Sequence, residues 1–394
     1  MATSVPLVKI DTEYSADAVE WCPTSAEPLL ACATYQLAAA EQEPEPEPEK
    51  SSTTTTTTQE DSDDETEKRT PPRARLGRLL LYRLETGAAA AADGETTTLR
   101  DAGLNSSNIR LVEVLRRDMP AILDIKWLPR TIANSDPVLA IVDASGFLTL
   151  YRVGMSAKSV TLEVLCQSNA VSDTLRLSLE WNCRIDASSP LQIASSDSAG
   201  QIALHQFAEG EVALVQEWEA HSFEAWITAF NQWNTSTVYS GGDDSLFRGW
   251  DTRTDCTTPI FTSKRHTMGV CSLQSHPSRE HILASGSYDE HIRLWDTRSM
   301  RAPVEDIRVH GGVWRLKWQA QNPSLIAAAA MHGGVPVVSV DESNKPSLTH
   351  RHTAHESIAY GVDWHPQIEG LIASCSFYDH SLHLWRLPTN ADMP

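Results

Sequence analysis

One phrase recurs along this chain at a nearly constant interval and restricts its fold more than any other feature. An apolar strand ends in an aromatic or apolar anchor, and a polar turn follows. The phrase reads VEW at Trp21, IKW at Trp127, LEW at Trp181, TAF at Phe230, CSL at Leu273, LKW at Trp318 and VDW at Trp364. From Trp127 onward the anchors lie 54, 49, 43, 45 and 46 residues apart. That interval accommodates four short strands with their turns. Seven such units close a circle, so residues 1–394 are expected to form one all-β domain, a seven-bladed β-propeller.

The gap between Trp21 and Trp127 is longer because two segments of different composition fall inside it. Residues 38–75 hold an alanine run, EPEPEPE, six threonines and an acidic cluster. Such a stretch buries too little apolar surface to order itself, so a disordered acidic insertion in the first blade is expected. Residues 87–108, rich in Ala, Gly and Thr, read as a flexible loop. The formal charge is -20, and residues 41–68 alone carry 11 acidic and 2 basic side chains. An acidic surface repels a nucleic-acid backbone; it either keeps the chain soluble or favours basic partners. No apolar run is long enough to cross a bilayer, and Met1 to Tyr14 lacks the pattern of a secretory leader. The seven cysteines are scattered, with no C-x-x-C pair, as in reduced cytoplasmic proteins without a metal site.

A second phrase follows each anchor by about 20 residues. It is clearest as SGGDDSLFRGWD (Ser240 to Asp251), SGSYDEHIRLWD (Ser285 to Asp296) and SFYDHSLHLW (Ser376 to Trp385). His221, His266, His310 and His355 precede the anchors by 7 to 9 residues. Period, tryptophan and histidine together resemble the WD40 family over nearly the whole folded part. In that family histidine, turn aspartate and tryptophan form a buried hydrogen-bonded set. The matching residues are His221, Asp244 and Trp250; His266, Asp289 and Trp295; and His355, Asp379 and Trp385. A buried carboxylate needs partners, so these residues read as structural. The first strand, about Leu7 to Thr12, is expected to complete the outer edge of the last blade and so close the ring.

Motifs for common chemistries are absent: no G-x-S-x-G, no P-loop, no H-E-x-x-H and no G-x-G-x-x-G. These absences alone point to a binding module. The strings GVCS, YDEH, GGVW and CSFYDH, however, are not demanded by a propeller. They resemble the diphthine methyl-ester hydrolase family, also called diphthine methyltransferase, most densely over residues 240–385. That resemblance implies removal of a methyl ester from over-methylated diphthine on translation elongation factor 2. Methanol is released, and amidation to diphthamide can proceed. It implies a cytoplasmic hydrolase without a cofactor, whose partner is the elongation factor rather than nucleic acid or membrane.

The turn carrying the buried aspartate and the loop carrying the histidine share one rim, so their neighbours should face a common mouth. Diphthine carries a trimethylammonium group, which Tyr288, Trp314, Tyr360 and Tyr378 could hold by cation–π attraction. His332, His380 and His291 are the candidate bases, and Cys271 or Ser287 a candidate nucleophile. The sixth unit departs from the pattern. AAAAMHGGVPVV puts His332 at the aspartate position, Val338 at the tryptophan and Pro336 within the strand. Two further readings stand beside hydrolysis. The WDTR boxes at Trp250–Arg253 and Trp295–Arg298 resemble those of cullin-4 ubiquitin ligase substrate receptors. Alternatively, their arginines bond neighbouring carboxylates. A third reading is a scaffold that recruits another hydrolase.

Overall fold

The computed structural model describes residues 4–25, 28–38, 74–87, 108–130, 136–156, 159–169, 174–185 and 190–388. Those residues form seven antiparallel sheets and no helix. Each sheet is a blade whose first strand lines the central channel. These inner strands are Ala16–Trp21, Ile122–Trp127, Arg176–Trp181, Ile227–Phe230, Val270–Ser275, Arg315–Trp318 and Ala359–Trp364. Each packs on the next, and the seventh returns to the first. Val8–Asp11 pairs antiparallel with Ser381–Arg386, Val8 opposite Leu384 and Asp11 opposite Ser381. The beginning of the chain therefore completes the seventh blade, as expected.

The first blade carries the two unusual segments. Most of 38–75 and of 87–108 lies outside the described residues. Their described ends are paired: the Ala38 amide donates to Ala74 at 2.9 Å and the Gly87 amide to Asn108 at 2.6 Å.

The anchors stitch neighbouring blades together. The indole N–H of Trp127 donates to the Glu20 carbonyl at 3.0 Å, Trp181 to Lys126 at 3.3 Å, and Trp364 to Lys317 at 2.8 Å. Phe230 has no donor, and Gln232 Nε2 reaches the Trp181 carbonyl instead, at 2.8 Å. In the fifth blade the anchor register falls on Ser275, not Leu273. Ser275 stands opposite Leu283 as Trp127 stands opposite Leu139.

The second tryptophans are tied into the histidine sets through a serine that sequence reading omitted. His221 Nδ1 donates to Asp244 at 2.8 Å, while Ser240 Oγ bridges His221 Nε2 at 2.8 Å and Trp250 Nε1 at 2.9 Å. His266, Asp289, Ser285 and Trp295 repeat this at 3.0, 2.8 and 2.8 Å. In the seventh blade Ser374 Oγ bridges His355 Nε2 at 2.8 Å and Trp385 Nε1 at 3.1 Å, and Ser381 relays between His355 and Asp379, at 2.9 and 3.0 Å. The sixth blade has no such set. There the Arg351 guanidinium bridges the Val309 and Gly333 carbonyls. In the WDTR boxes Arg253 and Arg298 are clamped on Asp251 and Asp296 of their own repeats, with shortest contacts of 2.6 Å in both.

Candidate active site at the mouth of the channel

Counting back four residues from each anchor position gives one residue per blade: Asp17, Leu123, Leu177, Trp226, Cys271, Trp314 and Tyr360. All but Cys271 line one cavity of about 280 Å³ at the channel mouth. In the first, second, third, fifth and seventh blades the ladder slips at this residue, as a β-bulge. A bulge leaves its residue out of the pairing and re-aims the side chain. Here the repeated slip turns a ring of side chains into the opening.

Turn residues after the second strands build the rest of the wall. The Tyr288 amide donates to Gly269 and the Phe377 amide to Ile358, both at 3.0 Å, so these two rings occupy equivalent places. The seventh blade has one more residue in this turn than the fifth. The extra residue pushes Tyr378 outward, where it is 71% exposed and meets only the edge of Phe377 at 5.1 Å. The rings then form a continuous arc. Trp226 lies 5.4 Å from Trp314, Trp314 5.8 Å from Tyr288 and 4.9 Å from Tyr360, and Tyr360 5.0 Å from Phe377. Asp243 accepts the Trp226 indole N–H at 3.0 Å.

Two glycines make room for Tyr288. A Cβ at Gly269 would lie 3.0 Å from one edge of its ring, and one at Gly312 3.1 Å from the other. The strings GVCS, YDEH, GGVW and CSFYDH thus meet at one place, supplying Gly269, Tyr288, Gly312 with Trp314, and Phe377.

Below the arc the channel changes character. Lys317 bonds Glu20 at 2.9 Å and Asp363 at 3.4 Å, Lys126 bonds Asp124 at 2.5 Å, and Arg315 reaches Asp124 at 3.2 Å. Asp17 belongs to none of these pairs. It is 6% exposed, lines the cup and makes no hydrogen bond or ion pair among the described residues. Burial pushes its carboxyl up to about 8, against the pull of Arg315 and with a smaller push from Asp124. Burial also raises the phenols of Tyr288 and Tyr360.

Of the residues singled out from sequence, Tyr288, Trp314 and Tyr360 come together in this wall, and Tyr378 stands just outside it. The three histidines are elsewhere on the rim. His332 is exposed on the sixth-blade turn. His380 takes the left-handed position of its turn, φ 49°, and its carbonyl accepts from Thr12 Oγ1 at 2.9 Å. His291 opens the third strand of its blade and pairs with Asp306 at 2.8 Å. Cys271 is buried, and its thiol is held well above its ordinary range by burial. Ser287 donates to the Met268 carbonyl at 3.0 Å and caps the Asp289 amide at 3.1 Å. Sequence reading missed Asp17, Trp226, Phe377 and Tyr35. The first two could have been found by counting back from the anchors.

These features define a WD-repeat propeller with an aromatic-walled cup over a buried carboxyl. The model of the WD domain, G-beta repeat, matches residues 257–296. A chain from a crystal structure of the mitotic checkpoint complex superposes with a TM-score of 0.64 at 16% identity, covering 99% of this chain and 94% of that one. That likeness concerns the fold alone. The Homo sapiens protein named diphthine methyltransferase is 44% identical over 368 residues, 91% of this chain and 74% of its own length. Its Mus musculus counterpart is 42% identical over 369 residues, 91% and 69% of the two chains. The Schizosaccharomyces pombe protein of that name is 31% identical over 299 residues, 74% and 87%. The chain belongs to the diphthine methyltransferase family.

Proposed function

We propose that this protein is a cytoplasmic esterase of diphthamide biosynthesis. It hydrolyses the methyl ester of over-methylated diphthine on translation elongation factor 2, giving diphthine and methanol. The observation that carries this reading is the arc of Trp226, Trp314, Tyr288, Tyr360 and Phe377 around one cavity of about 280 Å³. A trimethylammonium group is a cation with a greasy surface. Ring faces attract it by about 0.5–2 kcal/mol each, while the apolar walls accept its methyls. The cavity suits one modified side chain and opens on the rim, so a folded protein can present its modified histidine from above. Water then attacks the ester at the floor of this cup.

The test is methanol release from methyl-esterified elongation factor 2 by the purified protein. Trp314 touches three of the other rings, so Trp314→Leu should raise KM on the order of tenfold, the loss of about one ring. Absence of methanol with wild-type protein, or a Trp314→Leu variant of unchanged KM, would overturn the reading.

A further inference from the structure

We propose that Asp17 is the general base of this ester hydrolysis, poised beneath the aromatic arc to take a proton from the attacking water. The proposal rests on the esterase reading and deepens it. Among the seven residues that lie four before the anchor positions, six of which line the mouth, Asp17 is the one carboxylic acid. It is buried, it lines the cavity, and no described donor or cation is bonded to it. The network below is paired by contrast, Arg315 with Asp124 at 3.2 Å and Lys317 with Glu20 at 2.9 Å. Glu224, the other lining acid, is half-buried, and the lining residues include no histidine or cysteine. Ser198, the lining serine, accepts the Leu175 amide at 3.0 Å and makes no hydrogen bond to a lining carboxylate among the described residues. Water is therefore the nucleophile that the cup can activate.

The step balances without any co-reactant. As the water oxygen bonds to the ester carbonyl carbon, one water proton passes to the Asp17 carboxylate and the carbonyl π pair moves to oxygen. When that pair re-forms the carbonyl, the bond to methoxide breaks. The methoxide takes the proton from Asp17 and leaves as methanol, and the new acid releases the second water proton to solvent.

The groups facing Asp17 set its ionisation. They are Arg315 and Asp124 from the sixth and second blades, Tyr288 and Tyr360 from the fifth and seventh, and the thiols of Cys32 and Cys375. Arg75 and Glu224 also border the cavity. In the empty cup burial holds the carboxyl up to about 8. A trimethylammonium bound beside it supplies the missing positive charge and draws the carboxyl down. Substrate thus ionises its own base.

The experiment measures methanol release by wild type, Asp17→Asn and Asp17→Glu against pH, with binding of methyl-esterified elongation factor 2 measured separately. Asp17→Asn should lower kcat by about 10²–10⁴-fold, with KM near neutral pH changed only a few-fold. Asp17→Glu should recover at least about tenfold over Asn. For wild type, kcat/KM should rise with pH and level off at about 8, kcat should level off at lower pH, and the Asn variant should lose both limbs. If wild type releases no methanol, the esterase reading and this assignment fall together. If wild type is active, an Asn variant that binds substrate and keeps kcat within about threefold overturns Asp17 alone, as does one that raises only KM.

Discussion

Replacing Asp17 by asparagine should make the protein more stable, increasingly so as pH rises. In the folded chain Asp17 keeps its proton up to about pH 8, whereas its ordinary value is 3.8. Between those limits the folded state binds a proton that the unfolded chain has released, so stability falls as pH rises. Each pH unit in this window costs about 1.4 kcal/mol. The wild-type penalty is therefore about 4 kcal/mol at pH 7, vanishing near pH 3.8 and levelling off above pH 8. That is a large part of the roughly 5–15 kcal/mol that stabilises a typical native protein. Asparagine has no ionisation to suppress. Its buried amide carries a pH-independent cost of about 1–3 kcal/mol, so the slope, not the offset, is diagnostic. Urea unfolding of both proteins from pH 4.5 to 8, with m-values compared, should show their difference widening by roughly 1 kcal/mol per unit. A difference constant within about 1 kcal/mol over that range would refute the reasoning.

Two further predictions come from the same structure. Burial lowers His205 and His352 to about 3 and His276, His365 and His383 to about 4, so all five are neutral in the fold. Their contribution is complete above the ordinary 6.5 and is lost as pH falls toward the folded values; at pH 5.5 each costs about 1.4 kcal/mol. Thermal unfolding of Asp17→Asn, which lacks the opposing aspartate slope, should show Tm dropping between pH 7 and 5.5; an unchanged Tm contradicts the neutral state of these buried histidines. Gly312→Ala would place a methyl 2.9 Å from Met331 Sδ and 3.1 Å from the Tyr288 ring. Displacing that ring should raise KM for methyl-esterified elongation factor 2 by roughly 3–30-fold, at about 1–3 kcal/mol of stability, and steady-state kinetics with denaturant unfolding read both.

The ring was legible in the sequence because its determinants repeat. Anchors, loop histidines and turn aspartates recur at fixed offsets, and each recurrence supports the others. Tyr288, Trp314 and Tyr360 could be placed on the mouth for the same reason. Asp17 was passed over because within SADAVEW it looks like an ordinary polar residue on an alternating strand, and only its offset of four from Trp21 marks it. Its direction depends on a bulge, set by pairing with Leu29–Thr34 rather than by the strand itself. Tyr378 differs from Phe377 by a single inserted residue, which changes which ring turns inward. Of the histidines that follow a turn aspartate, His291 opens the third strand and pairs with Asp306, and His380 holds the left-handed turn position, so closeness in sequence to the mouth does not bring them into it. The serine hubs were hidden because Ser240, Ser285 and Ser374 are small residues within apolar strands, and their role appears only when histidine and tryptophan converge on them.

The pairing of Val8–Asp11 with Ser381–Arg386 has a consequence during synthesis. Asp17 leaves the ribosome more than 300 residues before Tyr360 and Phe377, which stand on the neighbouring seventh blade and line the same cup. A nascent chain therefore carries the carboxyl long before it has a pocket, and a prematurely terminated product has neither the last wall of rings nor the seam that joins head to tail. The cup is completed only when Ser381–Arg386 emerges and pairs with Val8–Asp11, made long before.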